Sequence, residues 1–593
     1  MKKRNVDLND RRSFIKGMGA AAAVPLLGVT KPVQASSITS WDKEVDVIVV
    51  GTGMAGFTAA LFAHEAGANV VMLEKGPTIG GTTIRSGGVM FIPDNFLLRR
   101  AGITENKEEF LQFIVRVTYP ANYHPDLPRF GASERAYAQL EAFFDNAAPT
   151  IAALEKMGAI KYTTFLDHEG KPFADNYLEM PENRAPRGRA VVCQLETTEE
   201  GRYYYANNGG LGVDLIQLLQ AAANKRRIPI LTRHQVSNLV VSDTGAVIGV
   251  VANTKKAELK IGARRGVVFG SGGFVHNRKL RELYLPGRVY GGCATPINQG
   301  DFLQMAGVAG AATANLESAW WLETLLEEVV DNSDIKTRIF VIPGDSSIMV
   351  NPNGVRFCNE KNQLCGRSQA HAIWDPVTAS YPNLVGIMIW DQRTADLFPG
   401  VVGIPQKEGE LPKYVIQGKN VAELETNLAA RLKSVAEHTG DVALSDSFGT
   451  SLKETLGRYN RFAQSGKDSD FQRGDATADV SFHYYSGHSQ VENPYPNELM
   501  YPISDKGPYF AALVVAASLD SNGGPRINPN AQVLNTQGEP IEGLYGAGNC
   551  IAGPAGRAFW GAGGTLGPAT VFGKIAGSSA ASAEVRDLAI TRS

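Results

Sequence analysis

Cysteine is scarce, at five residues in 593, and no two are spaced as CxxC or CxxCH. Covalent c-type haem and a thiolate zinc cluster are therefore not expected. Histidine is nearly as rare, at nine, and His276, His371, His483 and His488 lack ligand spacing with acidic or cysteine partners, so no metal is expected. No run of 18 uninterrupted apolar residues occurs, so stable membrane insertion is not expected. Setting residues 1–35 aside removes seven basic and two acidic side chains, leaving 51 against 58 and a net charge near −7. No Lys/Arg run then remains to track a phosphate backbone, which argues against nucleic acid as a partner.

Glycine, by contrast, is plentiful at 63 residues and clustered in motifs. Such clusters mark places where backbone must approach a ligand closely or turn with positive φ. The length exceeds one ordinary core and predicts two domains, or an α/β domain with a second one inserted.

At the N-terminus, Arg11-Arg12-Ser13-Phe14-Ile15-Lys16 precedes a small-residue apolar run from Gly17 to Val29, with a candidate cleavage site at Val33-Gln34-Ala35. Paired arginines before a mild apolar run match a twin-arginine signal over residues 1–35, which predicts export to the periplasm in folded form.

Val45–Val50 has the length and composition of a strand, and Gly51-Thr52-Gly53-Met54-Ala55-Gly56 follows it. A helix-period stretch runs from Phe57 to Ala66, and a second strand from Asn69 to Leu73 ends at Glu74 and Lys75. This order is the βαβ dinucleotide unit. Gly51 permits the tight turn, Gly53 lets the backbone approach a pyrophosphate, and Gly56 lets helix and strand pack closely. Amides at the helix start, here Met54 and Ala55, face the phosphates. Glu74 can accept hydrogen bonds from ribose hydroxyls. Further helices are expected at 107–117, 134–156 and 211–224, and strands near Ile230, Val236–Val241 and Val247–Val251.

Two features favour FAD over NAD. Gly80-Gly81-Thr82-Thr83 and Ser86-Gly87-Gly88 follow the ribose acid, and Gly546-Ala547-Gly548-Asn549 follows a late strand. After the latter, Gly561-Ala562-Gly563-Gly564-Thr565-Leu566 enters an Ala-rich helix whose N-terminus can face the flavin pyrimidine edge.

Taken together, these segments resemble the FAD-binding group that contains 3-ketosteroid dehydrogenases and flavoprotein fumarate reductases. Ser86-Gly87-Gly88 leading to Ile92-Pro93-Asp94-Asn95, then Arg473-Gly474-Asp475, Tyr484-Tyr485 and Lys506–Phe510, follow the ketosteroid side. Arg264–Phe274, with Gly272 and Gly273, is similar to the return segment of the whole group. The resemblance implies an α/β fold: a split Rossmann-like FAD domain (41–315 and 501–593) with an α+β catalytic domain inserted at 316–500. It implies hydride transfer at flavin N5 on a CH–CH bond beside an electron-withdrawing group, and an external electron partner such as a quinone or cytochrome.

In both branches a proton-transfer residue, Tyr or Arg, follows the Asn-Glu pair, here Asn359-Glu360; the aligned residue is Leu364. A second polar residue in the closing glycine segment aligns with Phe559. Neither apolar side chain can supply a proton or an electrophile. Three alternatives stand. A slipped alignment makes Arg367 the acid and Arg557 the anchor. Or the proton carrier comes from elsewhere, among Tyr162, Tyr177, Tyr484 and Tyr485. Or the ancestral reaction has been lost. The Gly563 amide could still polarise a carbonyl. Trp320, Trp321, Phe559 and Trp560 are candidates for an apolar substrate wall. The expected substrate is a hydrophobic ketone or enone, including a steroid-like one. Unsaturated carboxylates are the second reading, disfavoured because Ser518-Leu519-Asp520 offers no histidine, and a non-catalytic electron carrier is the third.

Overall fold

A computed structural model describes residues 31–38, 40–194, 210–331, 335 and 337–588. Arg11, Arg12 and the apolar run 17–29 lie outside the described residues.

The first half of the chain supplies strands β1 (Val33–Gln34) and β2 (Lys43–Val50), helix α1 (Met54–Glu65) and strand β3 (Val70–Glu74). Strands β4 (Ile230–Thr232), β5 (Gln235–Val241), β6 (Val247–Asn253) and β7 (Glu258–Phe269) follow. The middle supplies β8 (Ala319–Leu325), β9 (Ser347–Val350), α2 (Leu364–Ser368), β10 (Val385–Asp391), β11 (Ile416–Gly418), α3 (Thr477–Tyr485) and β12 (Tyr509–Ser521). The chain closes with β13 (Gln532–Leu534), β14 (Pro540–Gly546) and α4 (Leu566–Ser582). The expected helices appear at Lys107–Thr118, Glu134–Lys156 and Gly210–Lys225.

A nine-stranded sheet runs β1-β5-β6-β7-β2-β3-β4, with β14 also pairing β7 and β13 pairing β14. Its centre is parallel; β3 is buried throughout, and β2 and β7 are buried over their last four residues, Val47–Val50 and Gly266–Phe269. That is the composition a parallel sheet covered on both faces requires. Register matters most here. Val267, Val268 and Phe269 of β7 pair with Ile48, Val49 and Val50 of β2 on one side, and with Leu544, Tyr545 and Gly546 of β14 on the other. Three strands far apart in sequence thus end level, and the glycine loops that leave them stand side by side. Helix α1 is buried from Met54 to Ala63 and packs against α4 through small residues. A Cβ on Gly573 would lie 2.6 Å from the Ala55 carbonyl oxygen, and one on Gly577 would lie 2.1 Å from that of Ala59.

A second sheet, antiparallel, runs β8-β12-β10-β9 with β11 on β12. Its central strand, Tyr509–Ser521, lies beyond residue 500, where the expected boundary puts it in the flavin domain. Beside this sheet a buried charge network ties Arg356 to Glu360 and Asp468, with Arg473 donating to Glu360. Burial pushes the Glu360 carboxyl up, but the Arg356 guanidinium overrides this, aided by Arg473, and takes it down to about 2. The Asn359-Glu360 pair is therefore an anchor that fixes where α2 begins.

The expected cleavage segment sits on the sheet edge, where Val33 and Gln34 pair with Val240 and Val241. All five cysteines are buried, and none forms a disulfide among the described residues.

Candidate active site

A long cleft lies at the carboxyl ends of β2, β3 and β7, between the two sheets, and its wall runs from the first glycine loop to an aromatic far end.

At one end, Gly51, Gly53, Met54 and Ala55 line it, with Glu74 and Lys75 beside them. Gly56 stands behind; its Cβ would lie 2.0 Å from the Gly51 carbonyl oxygen, so it serves packing. Gly53 differs. A Cβ there meets only Thr83 Oγ1 at 3.4 Å and the Gly80 oxygen at 3.9 Å, and the rest of its surroundings is cleft. Gly81 is similarly open, its nearest neighbour 3.9 Å away. These open positions beside the start of α1 suit a diphosphate that takes main-chain amides at close range. Thr52 braces the loop: its hydroxyl donates to Glu74 Oε2 (2.5 Å) and accepts from the Gly80 amide (3.0 Å). Glu74 also accepts from the Gly76 amide (2.7 Å), and the Met54 amide donates to Thr83 Oγ1 (3.0 Å). Lys75 is paired with Asp301, also on the wall.

In the middle, Gly81, Thr82, Thr83, Ser86, Gly87, Gly88, Gly272, Asn549, Gly563, Thr565 and Leu566 line the cleft. Gly80 and Gly564 lie one residue behind the wall, and Gly273 donates its amide to Asp520. Helix α4 starts at Leu566, so its positive end faces this space. Asp520 lies on the wall and accepts from Gly273, Asn298, Asn549 and Ser521. Burial pushes its carboxyl up to about 6, partly offset by those donors. Asn549 is held from the other side by the Trp320 indole N–H (2.9 Å).

The far end is aromatic, walled by Phe165, Phe173, Phe340, Phe482, Tyr485, Trp320 and Phe559. Tyr485 meets Phe165, Phe173, Phe340 and Phe482 edge-on, at centroid distances of 5.3 to 6.2 Å. Its hydroxyl lies 3.0 Å from where a Gly87 Cβ would be, over the segment expected to carry the flavin ring. Burial pushes the Tyr485 hydroxyl's pKa up, opposed by the charge of Arg338. Leu364 and Phe559 also line this chamber.

The other proton-carrier candidates lie elsewhere. Arg367 is buried and saturated, donating to Glu323 and to the carbonyls of Ile339, Phe340 and Asn362. Arg557 is exposed and faces Glu317. Tyr484 points away from the cleft, donates to Glu498 (2.6 Å) and stacks on His168. Tyr162 is buried beside Cys193 with no hydrogen-bond partner for its hydroxyl among the described residues. Tyr177 sits by Gln363 and Cys365. Of the four tryptophan-region candidates, Trp320 and Phe559 face the cleft, while Trp560 packs on Phe91 and Phe143 and Trp321 is buried.

Sequence reasoning missed Asp520 as a ligand organiser, the four phenylalanines, and Arg85, Cys293 and Arg338 on the wall. Only Phe482 carried a signal, three residues before Tyr485 on one helix face.

The profile of the FAD binding domain family matches residues 46–566. The chain is 30% identical to 4-oxocyclohexanecarboxylate 2-dehydrogenase of Sinomonas cyclohexanicum, over 90% of this chain and 92% of that one. It is also 30% identical to 3-oxosteroid 1-dehydrogenase of Mycolicibacterium smegmatis, over 90% and 96%. The solved structure of 3-ketosteroid delta1-dehydrogenase from Sterolibacterium denitrificans superposes with a TM-score of 0.74 at 26% identity, covering 91% of this chain and 99% of that one. Open glycines at a strand-to-helix turn, three strand ends held level and a family match across the same residues agree: the chain belongs to the FAD binding domain family and is an FAD-dependent oxidoreductase acting on CH–CH bonds.

Proposed function

We propose that this protein desaturates or reduces a hydrophobic cyclic ketone or enone, with Tyr485 moving the proton. One observation carries the reading: Tyr485 presents a hydroxyl inside an aromatic chamber whose two family positions, Leu364 and Phe559, carry no transferable proton. FAD, when bound, supplies a hydride acceptor or donor at its ring. The protein's own residues do the rest. Phenylalanines 165, 173, 340 and 482 exclude water and hold flat apolar rings. Tyr485 exchanges a proton with the carbon next to the one that exchanges hydride. The amides at the Gly563 turn and the start of α4 face the region where a carbonyl oxygen would gain charge. The names of the two relatives, one acting on a 4-oxo ring and one on a 3-oxosteroid, support a cyclic ketone.

The test is anaerobic titration of the purified flavoprotein. Cyclic ketones are expected to bleach the oxidised flavin band, or their enones to restore it after reduction. Reoxidation by fumarate and other enoates, with ketones inert, would replace this reading by reduction of unsaturated carboxylates. If neither class perturbs the spectrum, the carrier reading stands.

We also propose that Arg11 and Arg12 direct the folded protein to the periplasm, where a quinone or cytochrome serves as electron partner. Changing both to Lys is expected to retain the protein in the cytoplasm with its flavin bound, as fractionation would show. Normal export of that variant would remove the proposal.

A further inference from the structure

Phe482 and Tyr485 reach the cleft from α3, so whatever fixes the last turn of this helix also fixes where the Tyr485 hydroxyl sits. The final carbonyls of a helix lack regular partners within it. That of His483 meets the Ser486 amide at 3.2 Å, and a second donor comes from outside the helix. The chain turns through Gly487, whose φ is +90°, and His488 folds back beneath the last turn. Its buried ring stacks on that of His483 at a centroid distance of 3.8 Å and meets Phe398 edge-on at 5.2 Å. Nδ1 lies 2.7 Å from the His483 carbonyl oxygen, and Nε2 lies 3.0 Å from the Gly344 amide nitrogen. A carbonyl only accepts and an amide N–H only donates, so the proton is on Nδ1 and Nε2 is bare. The ring is therefore neutral. Burial keeps it so, aided by the charge of Lys361, and pushes its pKa down to about 3.

Gly344 is itself held. Lys361, fully buried, donates to the Ile342 carbonyl (2.6 Å) and to that of Gly344. A Cβ on Gly344 would lie 2.3 Å from Thr394 Oγ1, so the loop is packed as well as bonded. We infer that His488 is a positioning residue: one neutral imidazole couples the last turn of α3 to the fixed loop at Gly344 and so holds the Tyr485 hydroxyl over Gly87. The inference rests on the reading of Tyr485 as the proton carrier. Proton transfer demands such a tie, since a misplacement of about 1 Å can cost about 10²-fold in rate.

A histidine that merely supports the fold would slow the enzyme whatever stands at 485, whereas a positioning one acts only through the tyrosine. The experiment is therefore a double-mutant cycle on the holoprotein. Its probes are 4-oxocyclohexanecarboxylate and a 3-oxosteroid, with a soluble dye as electron acceptor. His488→Asn keeps a donor near Nδ1 and loses the acceptor for Gly344; His488→Gln places an acceptor near Nε2 and gives up the donor to His483. Each is expected to lower turnover by about 10- to 100-fold, with FAD content and probe dissociation constants within about threefold of the wild type. In the Tyr485→Phe background the same substitutions are expected to change the residual turnover by less than about twofold. An equal fold-loss in both backgrounds would overturn the inference and make His488 a framework residue. So would undiminished turnover in both His488 variants, or failure of both to fold with FAD. A slow Tyr485→Phe beside unaffected His488 variants would end this inference alone. Wild-type turnover by Tyr485→Phe, or silence from both probes, would end the proton-carrier reading and this inference with it.

Discussion

Gly56→Ala is expected to yield a protein that has lost its flavin. The added Cβ would sit 2.0 Å from the Gly51 carbonyl oxygen and 2.9 Å from its carbon, so helix and loop cannot both stay in place. The loop cannot retreat either. Gly51 holds φ at +101°, and its own Cβ position is already 2.4 Å from the Gly270 oxygen. What must move is the start of α1, and with it the Met54 and Ala55 amides. Overpacking costs about 1–3 kcal/mol where neighbours can adjust, which is about a 5- to 150-fold loss in affinity. Backbone on both sides leaves little adjustment here, so the upper end is expected. Gly307→Ala is the control: that helical glycine has nothing within 4 Å of an added Cβ, and its variant should stay yellow. The flavin-to-protein absorbance ratio after gel filtration reads both. Full flavin retention by Gly56→Ala would mean that the loop does not set the cofactor.

That dependence on backbone is why the cofactor half was readable from sequence. A diphosphate held by amides needs glycines at fixed offsets between a strand and a helix, and Gly51, Gly53 and Gly56 have no competing reason to share that spacing. The same holds for β14 and the loop to Asn549, where strand-then-glycine order is local. What joins these loops is sheet register, which no local pattern states. The strand at 509–521 shows the limit: it is apolar on both faces, and such a strand suits either sheet, so its pairing with 319–325 and 385–391 was invisible.

The substrate half was legible only in fragments. Phe165 and Phe173 face each other across one short hairpin, where the Phe173 amide donates to the Phe165 carbonyl, and Phe340 and Phe482 join them only through tertiary packing. Strand alternation separates Trp320 from Trp321, because neighbours on a strand face opposite ways; applied beforehand, that rule would have admitted only one of them. Helical period does the same for Tyr484 and Tyr485, about 100° apart on α3. Arg338 gave no signal, since a lone basic residue reads as solvent-facing until the fold places it on the cleft wall.

Tyr485→Phe is the sharpest test of the chemistry. The phenyl ring keeps all four edge contacts of the tyrosine, so the chamber, the flavin and ligand binding should be unchanged. Only the hydroxyl over Gly87 is removed. Loss of a positioned proton carrier lowers the rate by about 10²- to 10⁴-fold, and turnover is expected to fall in that range while dissociation constants stay within about threefold. The pH profile supplies a second readout. In the desaturation direction the hydroxyl must accept a proton and so must first lose its own, which burial opposes and the Arg338 charge assists. Wild-type turnover should therefore rise with pH across the alkaline range, and the variant's residual turnover should be flat there. Turnover near the wild-type level would pass the proton to another wall residue. Asp520 and Cys293 are the titratable candidates, but Asp520 is engaged by four donors, and burial holds the Cys293 thiol protonated with a pKa of about 11. Each would then need its own substitution, Asp520→Asn and Cys293→Ala, against the same pH profile.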